Sequence, residues 1–311
     1  MSGLQPKTIK KVLQAKLAQW LDTIDDKDLE NCISRDVIVT GGSIASMLLG
    51  ESPNDYDVYF SNIETTKRVA EYYINKLKEK NPTLEVCVKI EDRENIKCEI
   101  ETRVVNYIRS VGVIDGDPNA EPDELGKEIL SGISSLTNGI KIESDINAEE
   151  LYHPVFISEN AITLSHKLQL VTRFYGEPNK IHDNFDYIHA CNWYRYKDNH
   201  LELNADALSA LMSKRLIYRG SLYPLASLFR MRKFLERGFK ISAGQILKIS
   251  LQISEIDLMH VPTLREQLIG VDMAYFYMLI DAIEQAKQSD KELKLDSTYI
   301  GELIDRIFGL N

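Results

Sequence analysis

Two aspartates stand two residues apart in Asp55-Tyr56-Asp57-Val58-Tyr59-Phe60. Along an extended strand successive side chains alternate between faces, so Asp55 and Asp57 share one face while Tyr56, Val58 and Phe60 take the other. Two carboxylates on one face are a ligand set for hard divalent cations, which prefer oxygen. A pair of such ions about 3.5–4 Å apart steadies both the attacking and the leaving oxygen of a phosphoryl displacement. Just upstream, Val37 to Val39 reads as a short buried strand and Gly41-Gly42 as a sharp turn that lets backbone approach a ligand closely. Ser43 is placed to N-cap a helix over Ile44 to Leu49, which Gly50 ends. The free N–H groups and positive dipole end of such a helix suit phosphate oxygens. Turn and carboxylates in this order make a site for a nucleoside triphosphate with its metal ions, Mg2+ or Mn2+.

These elements need a scaffold, and the rest of the chain supplies its signals. Residues 7–23 carry Ile9, Val12, Leu13, Leu17, Trp20 and Leu21 at steps of three and four, the period of an amphipathic helix. A second helix is expected near 64–79, before Asn81-Pro82. Leu84, Val86, Val88 and Ile90 alternate with polar residues, as do Ile96, Cys98, Ile100, Thr102 and Val104, which predicts a hairpin of half-buried strands. Strand signals return at 155–157 and 168–172, a short helix at 178–184, and another strand at Phe185 to Tyr194. From about residue 204 the pattern is helical to the end.

The stretch Val39 to Phe60, VTGGSIASMLLGESPNDYDVYF, resembles the head-domain signature of the polymerase-β-like nucleotidyltransferase superfamily. It is most similar to the class II tRNA nucleotidyltransferase and bacterial poly(A) polymerase branch, whose pattern is GG-x-V-R-D-x-L-L-G followed by D-x-D. Gly41, Gly42, Leu48, Leu49, Gly50, Asp55 and Asp57 fall on that pattern, and Ala45-Ser46 stand in place of its Arg-Asp. Asp186 and Tyr187 match the Asp-Phe of a second motif, R-R-D-F-T-x-N, without its arginines. Arg230, Lys233, Phe234, Gly238 and Phe239 match a neck-helix motif, while the E-D-x-x-R element that selects C or A is missing.

The resemblance implies an α+β nucleotidyltransferase head with a mixed sheet, about residues 1–203, followed by an all-helical domain, about 204–311. The implied reaction transfers a nucleoside monophosphate from an NTP to an acceptor hydroxyl and releases pyrophosphate. Asp55 and Asp57 would ligate metal, and Gly41, Gly42 and Ser43 would hold phosphates. Arg230 and Lys233 would neutralise the triphosphate. Asp186 would be a third carboxylate, as metal ligand, as base for the incoming hydroxyl, or in positioning the ribose. Glu99 and Glu101 compete for that third place.

Charge bears on the acceptor. The chain of 311 residues has a formal net charge of −10, which argues against a general nucleic-acid coat. Residues 115–150, read as an inserted surface excursion, hold ten acidic and two basic side chains. Residues 212–248 hold nine basic side chains and one acidic, a segment suited to phosphate backbone. An RNA 3′ end is therefore the favoured acceptor; a protein, a small molecule, or a catalytically silent nucleotide- or RNA-binding module are the alternatives. The four scattered cysteines suggest free thiols in a reducing compartment, and with no signal-peptide apolar region or membrane-length apolar run, a cytoplasmic protein is expected.

Overall fold

The structure, a computed structural model, describes residues 3–80, 86–94, 100–108, 139–141, 151–268, 283 and 296–308. The chain divides into two compact units that part between Arg219 and Gly220. The acidic stretch 115–150 lies outside the described residues except for Gly139–Lys141, as do Leu84, Ile96, Cys98 and Glu99. No helix among the described residues is long and apolar enough to cross a membrane.

The first unit is built on a mixed sheet. Its strands are β1 (Val37–Thr40), β2 (Tyr56–Phe60), β5 (Gly139–Lys141), β6 (Pro154–Ser158), β7 (Ala161–Leu164), β8 (Leu168–Tyr175), β9 (Trp193–Arg195) and β10 (His200–Glu202). They lie in the order β10-β9-β1-β2-β8-β7-β6-β5. β2 runs parallel to β8 and antiparallel to β1. Strands β3 (Val86–Glu94) and β4 (Ile100–Ile108) form the expected hairpin, paired from Val86–Ile108 to Glu94–Ile100.

Helices α1 (Pro6–Leu21), α2 (Lys27–Asp36), α3 (Gly42–Leu49) and α4 (Ile63–Lys80) complete the main core. The three- and four-residue spacing predicted for the first helix is the spacing it buries: Ile9, Leu13, Leu17 and Trp20 meet Val37, Val39, Val58 and Phe60 in one cluster. The Trp20 indole donates to the Tyr73 hydroxyl at 2.6 Å, so its polar edge is satisfied inside that core. Asp26 caps α2 by accepting from the backbone N–H of Asp28 and Leu29. Two short helices, α5 (Pro178–His182) and α6 (Ala205–Met212), end this unit.

The strand expected over Phe185 to Tyr194 is not formed as such. Residues 188–190 make a 3-10 turn, Tyr187 makes a single antiparallel bridge to Tyr218, and a strand forms only at Trp193–Arg195. The backbone there is satisfied by distant chain: Ile188 N–H donates to Ile217 O and Arg219 N–H to Asp186 O. Those bonds are offered by residues far along the chain, so the local alternation of apolar side chains imitated a strand.

The second unit holds helices α7 (Pro224–Glu236), α8 (Ala243–Ser254), α9 (Val261–Gln267) and α10 (Ser297–Phe308). Val261, Leu264, Leu268, Ile283 and Leu303 form its core, with Leu225 and Phe229 of α7 against it. The Gln267 side-chain amide donates to Leu222 O at 2.8 Å and fixes the entry to α7. The α+β class with a mixed sheet followed by helices is the one the sequence implies.

Candidate active site

Gly41 leaves β1 with φ 95° and ψ −146°, a conformation open to glycine and strained for any residue with a side chain. The helix therefore begins two residues earlier than expected. Gly41 is the N-cap, Gly42 the first helical residue, and no side chain caps α3. Ser43 is not the N-cap; it is turned inward, 1 % exposed, and its Oγ has no hydrogen-bond partner among the described residues. Gly50 ends the helix in the left-handed region at φ 74°, as expected.

The loop 51–55 returns the chain to β2, where Val58 stands opposite Val39 and Tyr59 opposite Ile38. That register brings the aspartates to the turn. A β-carbon built on Gly41 would lie 3.0 Å from Asp57 Oδ2 and 3.9 Å from Phe185 Cε2, so the missing side chain is what lets carboxylate and turn approach. The same construction on Gly42 meets nothing within 4 Å, which leaves open space in front of the helix start.

The carboxyl of Asp57 is pushed up to about 7, first by burial and then by the charge of Asp55. Such mutual repulsion between like charges is what a shared divalent cation relieves, and the all-oxygen donor set suits Mg2+ or Mn2+. The pair therefore fits the implied metal, and the open start of α3 fits the implied phosphates.

The sequence also nominates Asp186, Glu101, Arg230 and Lys233 for the site. Among the described residues no group of three or more His, Cys, Asp or Glu side chains stands together as a metal cluster. The Asp186 carbonyl accepts from Arg219 N–H at 2.8 Å, and burial, with the Asp186 charge a smaller cause, raises the Cys191 thiol. Glu101 is paired with the Arg103 guanidinium at 2.7 Å. Arg230 and Lys233 lie on α7 of the second unit, Arg230 half-buried and Lys233 exposed.

Behind the turn runs a polar network that the sequence did not reveal. The Thr40 hydroxyl donates to Asn192 O at 2.8 Å, and His182 Nε2 lies 2.8 Å from Thr40 Oγ1. Because the hydroxyl proton is committed to the carbonyl, His182 must donate through a protonated Nε2. Arg219 donates to His182 O at 2.9 Å and contacts Cys191 Sγ at 3.2 Å. Burial, with the Arg219 charge second, lowers the His182 imidazole to about 4, so it is neutral at physiological pH. Phe185 packs tilted against this imidazole at 5.1 Å and against Tyr59 at 6.1 Å.

Among solved structures, the chain is similar to a CCA-adding enzyme in complex with CTP, at 12% identity and TM-score 0.37, covering 94% of this chain and 67% of that one. It is also similar to a CCA-adding enzyme in an apo form, at 11% identity and TM-score 0.35, covering 92% of this chain and 57% of that one. No curated protein matches. The family model that matches is that of the Gabija anti-defense 2 proteins, Gad2, over residues 11–214. That span contains the glycine turn, both aspartates and Thr40, His182 and Asn192 behind them and covers well over half of the sequence, and the chain belongs to the Gabija anti-defense 2 family.

Proposed function

We propose that this protein is a metal-dependent nucleotidyltransferase that moves a nucleoside monophosphate from an NTP to an acceptor hydroxyl. One observation carries the reading: the space of a missing β-carbon at Gly41 joins a helix start, open toward Gly42, to an aspartate whose neighbour Asp55 already raises its carboxyl. That arrangement supports a phosphate-binding backbone beside a divalent-cation ligand pair within one unit.

In this reading Asp55 and Asp57 would hold the divalent ion, and Gly42 and Ser43 would present backbone N–H groups to the β- and γ-phosphates. The bound ion supplies positive charge to the phosphates during displacement. The acceptor oxygen forms a bond to the α-phosphorus, the bond from that phosphorus to the bridging oxygen breaks, and pyrophosphate leaves. The acceptor proton passes to solvent or to a nearby carboxylate; Asp186 is the candidate named by the resemblance. Arg230 and Lys233 are assigned to phosphate neutralisation. Free Cys32, Cys87 and Cys191 support the reducing cytoplasm as its compartment.

The basic segment 212–248 supports an RNA 3′ end as acceptor. The family description supports a second reading, in which the acceptor belongs to the Gabija defence itself. The test is pyrophosphate release with each NTP and Mg2+, comparing wild type with Asp57→Ala, in the presence of total RNA or of purified Gabija components. RNA-stimulated release lost in the variant supports the first acceptor, and label transferred from NTP to a Gabija component supports the second. Absence of release in every condition, from folded protein, overturns the enzymatic reading.

A further inference from the structure

The face of the sheet that carries Asp57 carries more than the phosphate chemistry uses. Asp57 and Tyr59 share it on β2. Ile38 stands opposite both Tyr59 and Arg195, and Thr40 opposite Trp193, so these residues point the same way. The face is apolar at its centre, where Ile38, Tyr59 and Ile181 are buried, and its rim is aromatic, where Phe174, Phe185 and Trp193 are only partly buried. Of that rim, Phe185 is the ring at the site: its Cε2 and Asp57 Oδ2 both lie within 4 Å of the point a Gly41 β-carbon would occupy.

Phe185 is also held in place. Its backbone N–H donates to His182 O at 2.9 Å, and its ring leans on His182 and Tyr59. An apolar ring offers nothing to a metal or a phosphate, and leaving part of it exposed beside a buried carboxylate forgoes the stabilisation of full burial. A flat aromatic or heteroaromatic ligand group recovers that contact, and a nucleobase is such a group.

We infer that Phe185 forms the nucleobase subsite, its ring stacking on the base of the NTP whose phosphates lie at Gly42 and Asp57. The inference rests on the nucleotidyltransferase reading. Stacking on a single ring accepts every base, because each has a π-face, and favours purines for their larger area. The subsite would thus add affinity for nucleotides with weak discrimination among them.

Calorimetric binding of ATP, CTP and inorganic tripolyphosphate, each with Mg2+, tests this with wild type, Phe185→Leu and Phe185→Trp. The expected result is that Phe185→Leu weakens ATP about tenfold, weakens CTP less, and leaves tripolyphosphate unchanged, while Phe185→Trp keeps nucleotide affinity. A ring that merely props the glycine turn predicts equal loss for ATP and tripolyphosphate in Phe185→Leu, and that result overturns the subsite. Unchanged ATP affinity in folded Phe185→Leu overturns it as well. Wild type that binds no nucleotide overturns both the subsite and the enzymatic reading. Phe185-dependent nucleotide binding without pyrophosphate release keeps the subsite and sinks the enzyme alone.

Discussion

The Thr40 hydroxyl and His182 Nε2 lie 2.8 Å apart across 142 residues of sequence and tie the end of β1, one residue before the glycine turn, to helix α5. His182 is buried and its imidazole is lowered to about 4. Above pH 6.5 the residue is neutral whether folded or unfolded. As pH falls from 6.5 toward 4 the unfolded chain takes up a proton that the folded chain refuses, so stability drops through that window and levels off below it. At about 1.4 kcal/mol per pKa unit the full loss is on the order of 3–4 kcal/mol. Urea denaturation at pH 7 and pH 4.5 should show this loss for wild type and a smaller one for His182→Gln, whose amide keeps a donor for Thr40. Equal losses in both proteins would assign the acid sensitivity to other groups.

The two glycines of the turn should respond in opposite ways to the same change. Gly41→Ala forces a side chain into φ 95° and sets its β-carbon 3.0 Å from Asp57 Oδ2. A destabilisation of about 1–3 kcal/mol is expected, together with loss of transfer. Gly42→Ala meets nothing within 4 Å and sits in the first helical position, where alanine is the better residue. Its fold should therefore be at least as stable as wild type while its NTP affinity falls, because the methyl group enters the space assigned to phosphate. Thermal melts and NTP titrations of the two variants check the pair, and unimpaired nucleotide affinity in Gly42→Ala would remove phosphate from that space.

Asp57 links stability to metal. Its carboxyl rises to about 7, so between pH 4 and 7 the folded state without a ligand holds a proton that the unfolded chain releases, and stability falls as pH rises across that interval. Asp57→Asn removes the repulsion from Asp55 and should raise the melting temperature at pH 8 by a few degrees, about 1–2 kcal/mol. Mg2+ or Mn2+ should raise the melting temperature of wild type, as any ligand of the native state does, and leave Asp57→Asn unmoved. An equal metal response in both would place the cation elsewhere.

The turn was legible in the sequence because its signals are local. Gly41 and Gly50 sit where the backbone takes positive φ, and the alternation in Asp55 to Phe60 fixes which side chains share a face. Ser43 was misread for a local reason too. A serine before an apolar helix usually caps it, but Gly41 already bends the chain out of β1, so the helix takes in Gly42 and buries Ser43. Phe185 and His182 were not legible as neighbours of Gly41. What brings them there is the pairing of β1 with both β2 and β9, together with the His182–Thr40 contact, and no short-range pattern encodes sheet order.

The acceptor can be approached through α7. Arg230 and Lys233 lie one turn apart on that helix, whose exposed Arg232 pairs with Glu236 at 3.1 Å. If the basic segment tracks an RNA backbone, the double change Arg230→Glu and Lys233→Glu removes two cations that neutralise phosphate. The salt dependence of RNA binding should then flatten by roughly 0.7 in logarithmic slope for each lost phosphate contact. Tripolyphosphate affinity separates the two roles assigned to these residues: a fall in both RNA and tripolyphosphate binding assigns them to the triphosphate, whereas a fall in RNA binding alone assigns them to the acceptor. Unchanged affinity for both ligands would leave α7 a solvated basic helix and direct the search for the acceptor toward the Gabija components.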